Sequence, residues 1–301
     1  EENSDFDVPV IFLTAKTDPG SELEGLSLGA VDYIFKPFSP MLLIKRIENS
    51  ILMFEQRKQL KRFNENLQGM VLRQSTQISE LQSAVFDVVS NLVEFRDDVT
   101  GNHITQTSRF LGVLLDAMFE QGVYAAETRN WDREVLLTSV KLHDVGKIGI
   151  SDVILNKREE LTPEEFEEIK RHVELGDEII ERIRNMRKDV LDDTFLFYAA
   201  NFVSYHHEKW DGSGYPHGLA GMDIPLLGRL MAVVDVYDAL ISNRPYKEAY
   251  SLDVAQRIMQ EGRGTYFDPQ ILDVFLNVRV KNKIDLVANE LRQSAMNKIE
   301  N

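Results

Sequence analysis

From Leu60 to Phe95 the chain has no proline and a single glycine, and its apolar residues keep one rhythm. Leu67, Val71, Ile78, Leu81, Val85, Val88, Leu92 and Phe95, with Gln74 completing the series, are spaced alternately four and three apart. That is the a/d repeat of a coiled coil, so the stretch predicts one long connector helix that pairs with a second copy of itself. The later turns fit equally well a helix whose stripe packs on the chain's own C-terminal domain.

On either side of this connector the patterns differ. Val8 to Thr14 is a short apolar run of β type, Ser21 to Leu28 is helical, Ala30 to Phe35 is strand-like, and the helical pattern resumes at Pro40. Strand, helix, strand, helix is the rhythm of a parallel α/β unit. After Phe95 the pattern is almost wholly helical, broken by Gly, Pro and Asp-Gly turns. Thr162, Pro163 and Glu165 fit the N-cap, first and third positions of a helix, with proline where its missing N–H costs nothing. The acidic run from Glu164 to Glu168 reads as the solvated start of that helix. The expected class is mainly α: an α/β segment over 1–55, a connector over 56–95 and an all-α domain over 96–301.

The 301 residues contain no cysteine, which removes disulfides, thiolate metal sites and cysteine nucleophiles. Any metal must then be held by imidazole and carboxylate. A net charge of −15 works against tracking a long nucleic acid, which needs many cations set against phosphates. It leaves room for a small anionic substrate if a few cations are concentrated locally. No apolar run approaches the roughly 20 residues of a membrane span, and no signal pattern opens the chain, so the cytoplasm is the expected compartment. The first residue is Glu1 rather than Met, as in a fragment of a longer protein.

All six histidines fall between His103 and His217. On a wheel built from Val135, Leu136, Val140 and Leu142, His143 lies within the apolar stripe, so it and the neighbouring Asp144 need partners in the interior. His172 sits at the edge of the stripe formed by Phe166, Ile169 and Val173. His206 and His207 follow an apolar helix, and Asp235 is set among Met231, Val233, Val234 and Val236. Singly, each is most simply a hydrogen-bonded core residue. Together, in one helical domain without cysteine, they favour a metal site of nitrogen and oxygen ligands.

Two resemblances extend this reading. VPVIFLTA at 8–15, GAVDYIFKPF at 29–38 and SPMLLIKRI at 39–47 resemble the C-terminal half of a receiver domain, in which the positions of Thr14 and Lys36 answer phosphorylation of an aspartate on an earlier strand. HDVGKIG at 143–149, His172 before Gly176, HHEKWDGSGYPHGLAG at 206–221, IPLLGRLMAVVDVYDAL at 224–240 and NRPYK at 243–247 resemble the HD-GYP domain. That resemblance implies a cyclic di-GMP phosphodiesterase with two divalent cations, iron or manganese. One cation would be held by His103, His143, Asp144 and Asp235, the other by His172, His206 and His207, with Asp144 shared and a hydroxide between the cations as nucleophile. Asp144 and Lys147 would be catalytic, and Lys147, Tyr215, Arg244 and Lys247 would contact substrate, while His217 would not be a ligand. A homodimer through the connector, a sensor kinase and diguanylate cyclases are the implied partners. Many family members carry a glutamate four residues before the first ligand histidine, where it helps hold a third metal. This chain has Val99 there, and Asp97 and Asp98 would point elsewhere, so two cations are expected.

Overall fold

The β-rich runs at either side of residues 16–26 form β1 (Ile11–Thr14) and β2 (Asp32–Phe35), which pair in parallel with Ile11 opposite Asp32 and Thr14 opposite Phe35. Just past that register the Lys36 amide donates to the Thr14 carbonyl at 2.8 Å, which brings these two residues to the same end of the sheet. This computed structural model describes residues 8–15, 27, 29–96, 103–186, 193–243 and 248–299. The helix expected over Ser21 to Leu28 lies outside them, Ser27 excepted.

A single helix, α1 (Pro40–Arg96), follows without a break, as the absence of proline allows. The chain divides into two compact units within it, Glu1–Glu80 and Leu81–Asn301. The boundary expected at 95/96 therefore falls inside the second unit, because Ser90, Val93 and Glu94 are buried there. The heptad stripe is not what packs. Leu81, Val85, Val88, Leu92 and Phe95 are all exposed, Phe95 to 87%. Against the domain lies a different face, on which Phe86 stacks on Phe195 with ring centres 4.6 Å apart and Ser90 donates its hydroxyl to the Lys141 carbonyl at 2.8 Å.

The rest of the second unit is helical: α2 (His103–Gln121), α3 (Arg133–Ser139), α4 (Pro163–Met186), α5 (Asp193–Tyr205), α6 (Leu226–Ile241), α7 (Leu252–Glu261), α8 (Pro269–Phe275) and α9 (Val278–Ile299). Apolar faces of α2, α3, α5 and α6 meet in a core that includes Phe110, Leu114, Leu136, Phe202, Leu230 and Tyr237. Within it the Arg229 guanidinium holds Asp268 at 2.8 Å, and Tyr124 donates to the same carboxylate at 2.7 Å. A charge buried there needs such partners. The capping box at the head of α4 is formed as expected. Thr162 N–H donates to Glu165 Oε2 at 2.8 Å, and Glu165 N–H to Thr162 Oγ1 at 3.3 Å.

Two glycines shape the site-bearing segments. A Cβ at Gly146 would lie 1.8 Å from the carbonyl oxygen of His172, so only glycine lets the 143–149 segment close on α4. A Cβ at Gly214 would lie 2.3 Å from the Lys209 amide nitrogen. Its smallness serves the folding of the loop on itself.

Candidate metal centre

α3 ends at Ser139, and the chain tightens into 3-10 turns at Val140–Leu142 and Val145–Gly149. His143 and Asp144 stand between these turns. The wheel that placed His143 inside assumed a continuous α-helix, yet His143 is 1% exposed all the same. With three residues per turn it stays on the side of buried Val140. Four other elements deliver the remaining side chains. His103 opens α2, His172 lies mid-way along α4, His206 and His207 follow the end of α5, and Asp235 projects from α6.

Four of the rings are fixed through one nitrogen. Nδ1 of His143 lies 2.9 Å from the Val140 carbonyl, Nδ1 of His172 2.7 Å from that of Ile169, and Nδ1 of His206 2.8 Å from that of Phe202. Carbonyls only accept, so in all three rings Nδ1 carries the hydrogen, and in the neutral ring that leaves the Nε2 lone pair for a metal. His103 is held by a carboxylate instead, its Nδ1 donating to Asp238 Oδ2 at 2.6 Å. The freed Nε2 atoms converge: those of His103 and His143 are 3.3 Å apart, and those of His172 and His206 are 3.4 Å apart.

Asp144 stands between the two pairs. Its Oδ2 lies 3.3 Å from His143 Nε2, 4.0 Å from His103 Nε2 and 2.9 Å from Lys147 Nζ. Oδ1 faces the other way, 3.5 Å from His172 Nε2 and 3.7 Å from His206 Nε2. Asp235 Oδ1 adds a contact at 3.4 Å to His103 Nε2. Ligand atoms of Asp144, His172, His206 and His207 lie within 4.8 Å of one another, as do those of His103, His143 and Asp144.

Lone pairs facing each other across 3.4 Å repel unless a positive charge lies among them, and the electrostatics show the same demand. Burial raises the carboxyl of Asp144, but Lys147 and His143 outweigh it and hold the group well below its ordinary range. Asp235 is lowered in the same way by His103 and His143 against burial. Burial also opposes a charge on His103, yet Asp238, Asp235 and Asp144 keep it protonated up to about 9. His172 drops to about 4 and His207 lies well below its usual value, both chiefly through burial. Neutral imidazoles and ionised carboxylates are the forms in which these residues bind metal, so the donor set fits divalent cations.

The site opens into a cavity of about 160 Å³ lined by Glu94, Asp144, Lys147, His172, Tyr215 and Asp235 among others. Tyr215 lies over His207, ring centres 4.7 Å apart and nearly parallel. Its loop is held by Glu208, a buried carboxylate that accepts the amides of His217 at 2.7 Å and Leu219 at 3.0 Å. His217 itself is exposed and its ring lies beside Tyr205. Arg244, Lys247 and Val99 lie outside the described residues. Sequence reasoning missed two groups, Asp238 and Glu94. Asp238 follows Asp235 by three positions on α6, a spacing that puts both on one face. Glu94 lies across residues 97–102 from His103 and carries no such signal.

The match to the HD-domain family covers residues 87–271. The chain belongs to the HD-domain family. Beyond the HD domain itself, the chain is 41% identical over 280 residues to a Vibrio cholerae serotype O1 protein named "Probable cyclic di-GMP phosphodiesterase", covering 93% of this chain and 63% of that one. It is 32% identical over 275 residues to the cyclic di-GMP phosphodiesterase response regulator RpfG of Xanthomonas campestris pv. campestris, covering 91% of this chain and 68% of that protein. The chain is also similar to 3'3'-cGAMP-specific phosphodiesterase 2 of Vibrio cholerae serotype O1, 32% identical over 188 residues, which are 62% of this chain and 33% of that protein. The chain thus spans about two thirds of the length of the first two relatives.

Proposed function

We propose that the chain is a metal-dependent phosphodiesterase that hydrolyses cyclic di-GMP to linear pGpG. The observation that carries this reading is the division of Asp144 between two imidazole pairs, with Lys147 and Tyr215 lining the same cavity. His103, His143, Asp144 and Asp235 would hold one divalent cation, and His172, His206, His207 and Asp144 the other. Such a pair supplies acidified water and charge screening for a phosphodiester. Iron and manganese suit a shell of imidazole and carboxylate.

The chain's own groups supply the rest. Lys147 puts an ammonium at the cavity wall beside Asp144, where it can meet a phosphate oxygen. A cavity of about 160 Å³ is well below the 300–1,000 Å³ of pockets that enclose whole ligands. It suits the cations and one phosphodiester, leaving both bases outside against Tyr215 and the loop around it. Arg244 and Lys247 are the further cations we assign to the substrate. The chain's net charge makes such local cations necessary.

The names of the relatives support cyclic di-GMP, and one of them supports a mixed cyclic dinucleotide as the second reading. Metal analysis of anaerobically purified protein, with chromatography of the products from cyclic di-GMP and from 3'3'-cGAMP, tests both. Two metals per chain and pGpG are the expected result. A metal-replete protein that cleaves neither dinucleotide would leave a binding module and defeat the reading.

Regulation belongs to the same proposal. The parallel pair β1–β2, with Thr14 and Lys36 at one end, supports the half-receiver reading and hence a response regulator acting under a sensor kinase. The exposed heptad stripe of α1 supports a parallel homodimer through that helix. Among the described residues no helix is long and apolar enough to cross a membrane.

A further inference from the structure

The carboxylate of Glu94 is the buried polar group that the site described above does not use. Glu94 lies in the last turns of α1, is 6% exposed, and lines the same cavity as His103, Asp144 and Asp235. Its two oxygens are treated differently. Oε1 accepts the backbone N–H of Ile104 at 2.9 Å, which caps the start of α2 one residue beyond His103. Oε2 is fully buried and has no hydrogen-bond partner among the described residues. An orphaned carboxylate oxygen in the interior costs more than the single cap it makes can return. Glutamine, one atom different, would cap Ile104 as well and bury no charge. A glutamate at this position therefore points to something positive that Oε2 faces.

The cap on the Ile104 amide sets Glu94 next to His103, and that contact says on which side the charge lies. Burial raises the Glu94 carboxyl, and the opposing influences are His103 first and His143 after the cap, with the Asp144 carboxylate adding to the rise. His103 and His143 are the imidazoles of one half of the centre, the half that carries Asp235. His172, His206 and His207 make the other half.

We propose that Glu94 is a positioning residue for the cation on the His103 side, its free oxygen held toward that ion directly or through the ion's own water while its other oxygen fixes the start of α2. The inference rests on the metal reading of the cluster. It ties the end of α1 to one cation and not to the other, and so makes occupancy of that half depend on how the last turn of α1 is seated.

Glu94→Gln separates the two duties, since it retains the oxygen that caps Ile104 and loses the charge. The measurement is Mn²⁺ titration of the whole metal-free chain, free Mn²⁺ being followed by electron paramagnetic resonance, beside the thermal midpoint of the metal-free protein. Two wild-type sites are expected. In Glu94→Gln one of them should weaken by about ten- to a hundredfold, the range for outer-sphere partners of metal ligands, with the second unchanged. The metal-free midpoint should stay level or rise, a result that a merely structural role would not give. Glu94→Ala should lose the cap too and lower that midpoint. Two Mn²⁺ sites of wild-type affinity in Glu94→Gln would overturn the inference while leaving the metal centre standing. Absence of Mn²⁺ binding in the wild type would overturn the metal reading and this inference with it.

Discussion

Ser90 Oγ donates to the carbonyl of Lys141 at 2.8 Å, which joins the connector helix to the residue two positions before His143. The same two segments meet again where Lys141 Nζ pairs with Asp87 at 2.5 Å. Further along, Arg96 donates to the carbonyls of Ile148 and Ile150 at 2.6 and 2.9 Å, on the far side of Lys147. The end of α1 thus grips both flanks of the HDVGKIG segment.

Ser90→Ala removes a buried donor and leaves the Lys141 carbonyl unpaired. The loss should be about 1 kcal/mol of stability, the usual net worth of such a bond. Urea unfolding of the metal-free protein measures it, and an unchanged midpoint would show that the junction is slack. The exposed side of the Asp87–Lys141 pair makes Asp87→Ala the milder change.

Asp144→Ala should empty both halves of the centre, because each carboxylate oxygen serves a different imidazole pair. Metal content and turnover should fall together. Should the variant keep its metal and its rate, the site assignment is wrong.

Lys147→Met keeps most of the side chain's length and removes its charge. Asp144 still has His143 to hold it ionised, so the cations should remain bound. Turnover of cyclic di-GMP should drop roughly a hundredfold, as when one preorganised electrostatic contact to a reacting group is lost. A rate within twofold of wild type would mean that Lys147 serves Asp144 and not the phosphate.

The heptad stripe leads to a separate test. Replacing Leu81 and Val88 with glutamate puts charge on a seam where both side chains are exposed. The expected product is a folded monomer by light scattering, with the helical signal per residue little altered. A dimer that survives both replacements would place the interface elsewhere.

Much of this was legible in residue order because the site is built from side chains that contradict their surroundings. His143 among leucines and valines, and Asp235 within the most apolar helix, are conspicuous for the same reason that they need partners. The connector was legible as a helix, but which of its faces meets the domain was not. Ser90 and Glu94 are polar, and nothing in a hydrophobic repeat distinguishes them from solvent-facing positions. Asp238 was within reach, three residues from Asp235. The close approach at Gly146 was out of reach, because a glycine's reason lies in the backbone opposite, here the carbonyl of His172.

Val99 bears on what the product is. Opening the cyclic dinucleotide takes one in-line attack, which two cations support by supplying the nucleophile and screening one phosphodiester. Cutting the linear product is a different task, because its terminal phosphate adds charge that must be bound and oriented. A third cation would serve there, and Val99 stands where the HD-GYP resemblance implies a glutamate to hold it. Glu94 does not restore it, since its proposed place is at a cation already counted. Two metals per chain and accumulation of pGpG, with slow conversion to GMP, are therefore expected. Val99→Glu should raise the metal content above two and speed the second cleavage, read by metal analysis and by the GMP peak with time. Three metals in the wild-type protein, or its rapid conversion of pGpG to GMP, would show that another group does the work of the missing carboxylate.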